Sequence, residues 1–575
     1  MRNNRGKAFM LIVPLILLIV LIIVYRIYEK NLPEQGDNIE TTAPGVNPTL
    51  TPEPTMEPTP EPTATPSPTA ATPTPAPTPE PVAKNVGNSS GDKVKHQVYI
   101  NSDPVSDYKS QEQIVFGSPE AYDMVEGITT FRGDNYRSGA AFGSRSVVEE
   151  KLEIVWSYNE LTSVDPQWPG VGWTGQPLIL RWPEEVRKVM NLNSEFKDKD
   201  FVEVIQAALD GNIYFLDLET GKPTRPHITI GFPIKGSPFV DPRGYPLLYS
   251  GMGINVLASG KSTPWKYRIF SLIDQKEIFS FPGKDPITTR AWGAFDSTGL
   301  VHAETDTLIQ CGENGLVYKI KLNTKFDPNK GEISINPETV KYKYPNIYTS
   351  RLGIENSPAI YRDLMFFADN GGMLQCLDIN TLKPKWAFNV GDDTDSSPVI
   401  EETDDGVYLY TGNEVDLQGA IGNSTVRKIN ALTGEQVWSR SYECFNNNTL
   451  NGGVLSTPTV GTGDIEGLVI FNITRTGTEW GGKLVALDKE TGKEVWTKTM
   501  RYYGWSSPTV FHSDEGKSYM IFCDSQGNMF LMDPKTGETL DTISVERNVE
   551  ASPAIYNDMV VVGSYAKKIF GVRIK

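Results

Sequence analysis

The chain has 575 residues and a formal net charge of −17, with a pI near 4.9. That length exceeds one ordinary compact domain unless a closed repeat array absorbs it, and the acidic balance excludes a nucleic-acid groove lined by clustered Lys and Arg. The four cysteines (Cys311, Cys376, Cys444, Cys523) and four histidines (His96, His227, His302, His512) are scattered without CxxC or HExxH. They form neither a disulfide framework nor a zinc site, and the cysteines read as buried free thiols.

Residues 8–25, AFMLIVPLILLIVLIIVY, are an uncharged apolar run. About 20 such residues span a bilayer as a helix. Arg2, Arg5 and Lys7 precede the run, whereas Glu29 accompanies Arg26 and Lys30 after it. The bias favours an internal N-terminus and an external bulk. No small-residue cleavage site follows, so residues 1–30 are expected to be a retained signal-anchor at the plasma membrane. The chain is then single-pass, with a cytoplasmic N-terminus and an extracytoplasmic, cell-surface body.

Residues 31–96 are expected to be a disordered Pro/Thr-rich stalk. Between 41 and 81 proline stands at every second or third position and no large apolar residues recur. A polyproline-II-like spacer rises about 3.1 Å per residue, which gives a reach on the order of 100 Å. Residues 97–148 read as a lead-in and 149–575 as repeats.

Two motifs keep step through that body. The first is ALDKETGKEVW at Ala486, with relatives whose leading aspartate or stand-in lies at Asp217, Asp274, Asn323, Asp378, Asn430, Asp488 and Asp533. The intervals run from 45 to 58 residues, the length of a four-stranded blade plus insertions. The second is a small residue before proline and a short apolar run: GQPLIL at Gly175, GSPFV at Gly236, NSPAI at Asn356, SSPVI at Ser396, STPTV at Ser456, SSPTV at Ser506 and ASPAI at Ala551. A degenerate copy, AWGAFD at Ala291, brings the starts to eight.

Within a repeat, Asp488 is expected to accept backbone N–H groups of the following turn. Gly492 takes its left-handed position, and Trp496, like Trp386 and Trp438, supplies an apolar face between sheets. The last repeat lacks an outer strand, which KLEIVWSY (151–158) can supply. The fold class is therefore all-β: an eight-bladed β-propeller of four-stranded antiparallel blades closed by N-/C-terminal strand sharing, preceded by a single transmembrane helix and the Pro/Thr-rich linker.

These motifs resemble the pyrroloquinoline-quinone (PQQ)-like repeat β-propellers of the quinoprotein alcohol dehydrogenase-like superfamily, over roughly residues 129–575. FRGDNYRSG (131–139) looks like that family's lead-in, which accounts for the embedded Arg132–Asp134 tripeptide better than adhesion does. The resemblance implies one of two activities. Enzymes of the family hold the quinone with calcium at the channel mouth, many under a disulfide ring of adjacent cysteines; the non-enzymatic relatives are binding scaffolds. This chain has neither an adjacent cysteine pair nor a CxxCH. A non-enzymatic binding module for a protein or cell-envelope polymer is thus expected, with a monomeric body and no cofactor. A PQQ- and calcium-dependent dehydrogenase acting on an alcohol or sugar is the alternative.

Residues just before each proline start should line one mouth of the channel. With nearby loops they give the ligand-binding candidates Trp173, Lys235, Arg290, Trp292, Arg351, Asn356, Asp395, Arg475, Trp505 and Glu550, beside Glu355, Trp168 and Trp480. Aromatic walls with convergent charges suit a small polar ligand or a peptide. Asp392, Asp393 and Asp395 could offer oxygens to calcium, but they read better as an acidic solvated turn, and no metal residue is assigned. Residues 413–426 and 257–267 read as exposed loops for a partner. No GxSxG supports a serine nucleophile.

Overall fold

In the computed structural model the described residues are 88–447 and 449–575. The expected anchor, and the stalk as far as residue 87, lie outside them. Among the described residues no helix is long and apolar enough to cross a membrane.

The described residues build eight blade sheets in chain order, an eight-bladed β-propeller, with one separate two-stranded hairpin, Lys325–Asp327 with Glu332–Ser334. The innermost strands of blades 1–8 are Leu178–Leu180, Phe239–Val240, Leu300–His302, Ala359–Tyr361, Val399–Thr403, Thr459–Val460, Thr509–His512 and Ala554–Tyr556. Blade 8 takes its outer strand from far upstream. Leu152–Tyr158 pairs with Lys568–Ile574, placing Tyr158 opposite Ile569 and Trp156 opposite Gly571. The ring is closed by strand sharing, as the sequence suggested, and no blade edge is left open at the seam.

The LDxxTGxxxW repeat proves to be an inter-blade joint as well as a turn. Asp488 Oδ1 accepts the Thr491 amide at 2.8 Å, and Asp378 and Asn430 hold the same turn in their blades. The tryptophan then reaches the next blade. Trp156, Trp386, Trp438 and Trp496 donate Nε1–H to the carbonyls of Leu218, Ala431, Lys489 and Pro534, at 2.7, 2.9, 2.8 and 2.9 Å. Each indole lies on the glycine of that blade's turn. A Cβ at Gly221, Gly434, Gly492 or Gly537 would come within 2.6–2.7 Å of the facing ring. Glycine is required twice over, for positive φ and for space.

The residue before each proline forms a belt. Backbone N–H groups of Gln176, Ser357, Thr457 and Ser507 donate to the hydroxyls of Ser237, Ser397, Ser507 and Ser552 in the following blade, at 2.9–3.2 Å. In blade 3 this place belongs to Thr298, whose amide bonds Ser357 Oγ at 2.9 Å. The degenerate start is therefore Ser297–Thr298–Gly299, not AWGAFD at Ala291: threonine replaces serine and glycine replaces proline.

Residues 127–142 run across the inside of the ring and touch every blade. Gly127–Ile128 pairs with Leu178–Leu180 of blade 1, and Ala141–Phe142 lies parallel to Ala554–Tyr556 of blade 8. Between them, the carbonyls of Thr129, Asn135 and Tyr136 accept from Val240, Ile360 and Ile400 of blades 2, 4 and 5. Arg137 donates to the carbonyls of Thr298 and Pro358, in blades 3 and 4, at 2.8 and 2.9 Å. Arg132 donates to those of Pro458 and Pro508, in blades 6 and 7, at 3.2 and 2.8 Å. Both guanidinium groups are fully buried, so the Arg132–Asp134 tripeptide is a hub and not a displayed loop.

The body also begins earlier than residue 97. Asn88–Ser90 adds to the outer edge of blade 4 and Gln97–Ile100 to that of blade 3, with Val94 buried beneath. Residues 88–96 thus leave the stalk and join the propeller, because their apolar side chain has a blade edge to cover.

Candidate functional site

Above the belt, on the side opposite the hub, the ring opens into a cavity of about 450 Å3. Its walls carry Trp168, Trp173, Trp505 and Tyr565 together with Glu355, Asp393, Asp395, Glu414 and Glu550. Lys235 is the one cationic side chain on this wall among the described residues. It is already engaged, donating from Nζ to Asp296 Oδ2 at 2.7 Å. A wider opening of about 990 Å3, on whose wall Arg132, Glu402, Asp405 and His512 lie, occupies the other side of the hub.

The positions three residues before each blade's proline, or before Gly299 in blade 3, are Lys235, Asp296, Glu355, Asp395, Leu455, Trp505 and Glu550 in blades 2–8, and all but Asp296 line this cavity. Trp173, Lys235, Asp395, Trp505 and Glu550 all line it, as do Glu355 and Trp168. Trp173 is fixed by its Nε1–H, which donates to Leu455 O at 3.1 Å. Glu550 is held by Tyr565 Oη at 2.6 Å and Asn548 Nδ2 at 2.9 Å.

The other candidates are not on its wall. The misplaced start of blade 3 explains Arg290 and Trp292: Arg290 donates to Glu313 O at 2.9 Å, and Trp292 rests against Trp265 at 4.9 Å between ring centroids. Asp296 stands where they were sought. Asn356 is fully buried, its amide spent on Ala368 O and Thr394 O at 2.8 and 2.6 Å. Arg351 pairs with Asp416 at 2.8 Å on the surface. Arg475 is a brace, donating to Glu479 O at 2.9 Å and to the carbonyl of Leu450, itself a wall residue.

GDDTDSSP is not a solvated turn. Asp392 and Asp393 are buried, and Asp392 is a latch. Its carboxylate accepts the amides of Asp416 and Leu417 at 3.2 and 2.8 Å and Gln418 Nε2 at 2.8 Å. The latch folds the segment after Asn413 inward, where Glu414 N donates to Asp393 O at 3.0 Å and Glu414 joins the wall. Residues 413–426 are accordingly no free loop. Glu414 and Val415 are buried, and residues 421–430 form a strand along Gln436–Phe445. Residues 257–267 do present an exposed turn over 258–262, anchored at its ends by the buried Leu257 and Trp265 before Lys266 begins a blade 2 strand.

Two carboxylate groups result. Asp393, Asp395 and Glu414 bring oxygens within 4.8 Å of one another, and so do Asp296, Glu313 and Glu355. Oxygen donors so spaced suit a cation, and no single residue of either set was assigned to a metal from the sequence. Burial, and next the neighbouring carboxylates, push Glu313, Asp393 and Glu414 well above the usual carboxyl range. Asp395 is raised in the same way, by burial and then Glu414, and Glu550 by burial.

Residues 336–502 and 481–575 match the profile of the family described as outer membrane protein assembly factor BamB. No curated protein matches the chain by sequence. Among solved structures, the quinohemoprotein alcohol dehydrogenase ADHIIG from Pseudomonas putida HK5 aligns at 12% identity over 82% of this chain and 83% of its own, with a TM-score of 0.50. BamB from Moraxella catarrhalis aligns at 14% identity over 69% and 98%, with a TM-score of 0.42.

Proposed function

We propose that this chain, a β-propeller whose repeats are similar to the PQQ-like family, is a membrane-anchored, extracytoplasmic binding module for a protein or cell-envelope ligand. The apolar run at 8–25 and the proline-rich segment at 41–81 would tether and raise the body. Fold alone decides no activity here, because one propeller supports both scaffolds and dehydrogenases.

The observation that carries the reading is the charge of the cavity. Five carboxylates face it, and its one lysine is committed to Asp296. The quinone of the dehydrogenases carries carboxyl groups, and the one cationic side chain this wall could offer them, Lys235, is already paired with Asp296. A cationic or hydrogen-bond-donating ligand meets complementary walls instead.

The test is direct. Full-length protein in detergent is mixed with PQQ and calcium chloride, and visible absorbance and dye-linked alcohol oxidation are followed. No new absorbance is expected. The same protein as bait in envelope extracts is expected to capture a partner that Asp395→Asn and Trp505→Ala release. Stoichiometric quinone binding with turnover would replace this reading with the dehydrogenase.

A further inference from the structure

We propose that the cavity receives the basic side chain, lysine or arginine, of a polypeptide segment; this rests on the binding-module reading and names the chemistry of its ligand. The first ground is the acceptor surface of the wall. Glu355, Asp393, Asp395, Glu414 and Glu550 face the cavity, and Asp395 Oδ1 there is buried with no hydrogen-bond partner. Buried oxygens of this kind are ordinarily satisfied. One such oxygen among five carboxyl groups invites an N–H donor, which an ammonium or guanidinium group supplies and an aliphatic group does not.

The second ground is the wall itself. Trp168, Trp173, Trp505 and Tyr565 present aromatic surface beside the carboxylates. Such surface takes the methylene stem of a lysine or arginine and attracts its cationic head. The volume, about 450 Å3, holds one long side chain with part of its backbone.

The third ground favours a polypeptide over a free amine. Trp505 Nε1 is a buried donor on the same wall with no acceptor. A simple amine offers it nothing, whereas a peptide carrying the basic side chain offers a carbonyl. Next to it the rim is apolar and open: Trp480 is 64% exposed and its carbonyl accepts Tyr503 N at 2.8 Å. A chain entering the cavity would have that indole to lie on.

The experiment titrates the detergent-solubilised full chain with end-blocked Gly-Lys-Gly, Gly-Arg-Gly and Gly-norleucine-Gly, with spermidine, and with calcium chloride, reading tryptophan fluorescence and heat. Saturable binding of the lysine and arginine peptides is expected, with at least tenfold weaker binding of the norleucine peptide. Asp395→Asn and Glu414→Gln should each weaken the basic peptides about tenfold, and Trp505→Phe two- to fivefold. Equal binding of the norleucine peptide, or none of either basic peptide, overturns the proposal. Spermidine or calcium binding as tightly as the peptides, or tighter, overturns the polypeptide source. The lysine–norleucine comparison needs no variant, so a misfolded mutant leaves the proposal exposed. If envelope capture depends on Asp395 while both basic peptides are silent, the binding module stands and this inference falls.

Discussion

Lys235 Nζ and Asp296 Oδ2 meet at 2.7 Å across the boundary between blades 2 and 3, with the aspartate fully buried and the lysine one-fifth exposed. The pair is more than a local contact. Glu313 and Glu355 crowd the same aspartate, so the lysine is the charge that lets three carboxylates share one end of the channel. Its own ammonium is held well above its usual range because that acidic surround outweighs its desolvation.

Removing that charge should be expensive. Lys235→Met leaves Asp296 buried without a counter-ion and is expected to lower unfolding free energy by about 3 kcal/mol. Asp296→Asn, which removes the charge and keeps the shape, should cost less. Urea unfolding of both variants checks the order, and equal losses would show that packing, not charge, holds this corner.

The acidic wall also sets a pH dependence. Glu313, Asp393, Asp395 and Glu414 have folded pKa values raised above those of the unfolded chain. The folded state therefore holds more protons than the unfolded state from about pH 4 upward. Their stabilising contribution is complete below that point and is lost as pH rises through the raised values. Urea midpoints are expected to fall between pH 5 and pH 7.5, and Asp395→Asn and Glu414→Gln should flatten the slope. A midpoint that rises over this interval would contradict the assignment.

The glycine of the inter-blade joint gives a sharper test. Gly492 has φ +67°, and a Cβ there would lie 2.7 Å from Trp438 Cδ2. Gly492→Ala should destabilise by about 2 kcal/mol, of which the left-handed backbone accounts for about 1–2 kcal/mol. Gly467→Ala, where a Cβ meets nothing within 4 Å, serves as the near-neutral control. Thermal unfolding of the pair measures what the joint glycine contributes, backbone and clash together.

Truncating the hub is expected to be felt around the ring. Arg132→Ala withdraws donors from Pro458 O, Pro508 O and Thr459 Oγ1 in a fully buried setting. A loss of about 3 kcal/mol is expected, since each buried acceptor left unpaired costs about 1 kcal/mol or more. Chemical denaturation measures it. A change of no more than about 0.5 kcal/mol, the size of a surface substitution, would mean that the blades hold together without the hub.

Most of the architecture was readable because its devices are local and repeated. A Trp resting on the Gly of the next blade's turn marks four of the joints, and seven of eight blade starts keep their proline. Blade 3 escaped because Thr298 and Gly299 do the work of serine and proline without resembling them, and the error displaced the search from Asp296 to Arg290 and Trp292. The cavity was half legible for a different reason. Lys235, Asp395, Trp505 and Glu550 follow from the repeat, but Glu414 arrives through an insertion folded inward by Asp392, and Glu313 sits in a turn between two strands that belongs to neither motif. No periodicity announces a contact made by an insertion.

The seam of blade 8 sets a condition on how the molecule comes into being. Leu152 and Ile574 are paired neighbours, and the hub threaded through the ring precedes them both. A polypeptide emerging in order makes its first circle-closing strand hundreds of residues before the partner exists. That long-range pairing is a slow step by the ordinary relation between sequence separation and rate. Until it forms, blade 1 and the unfinished blade 8 each show a bare face, so the interval between emergence and closure is when the newly made protein is most open to mispairing and to cleavage.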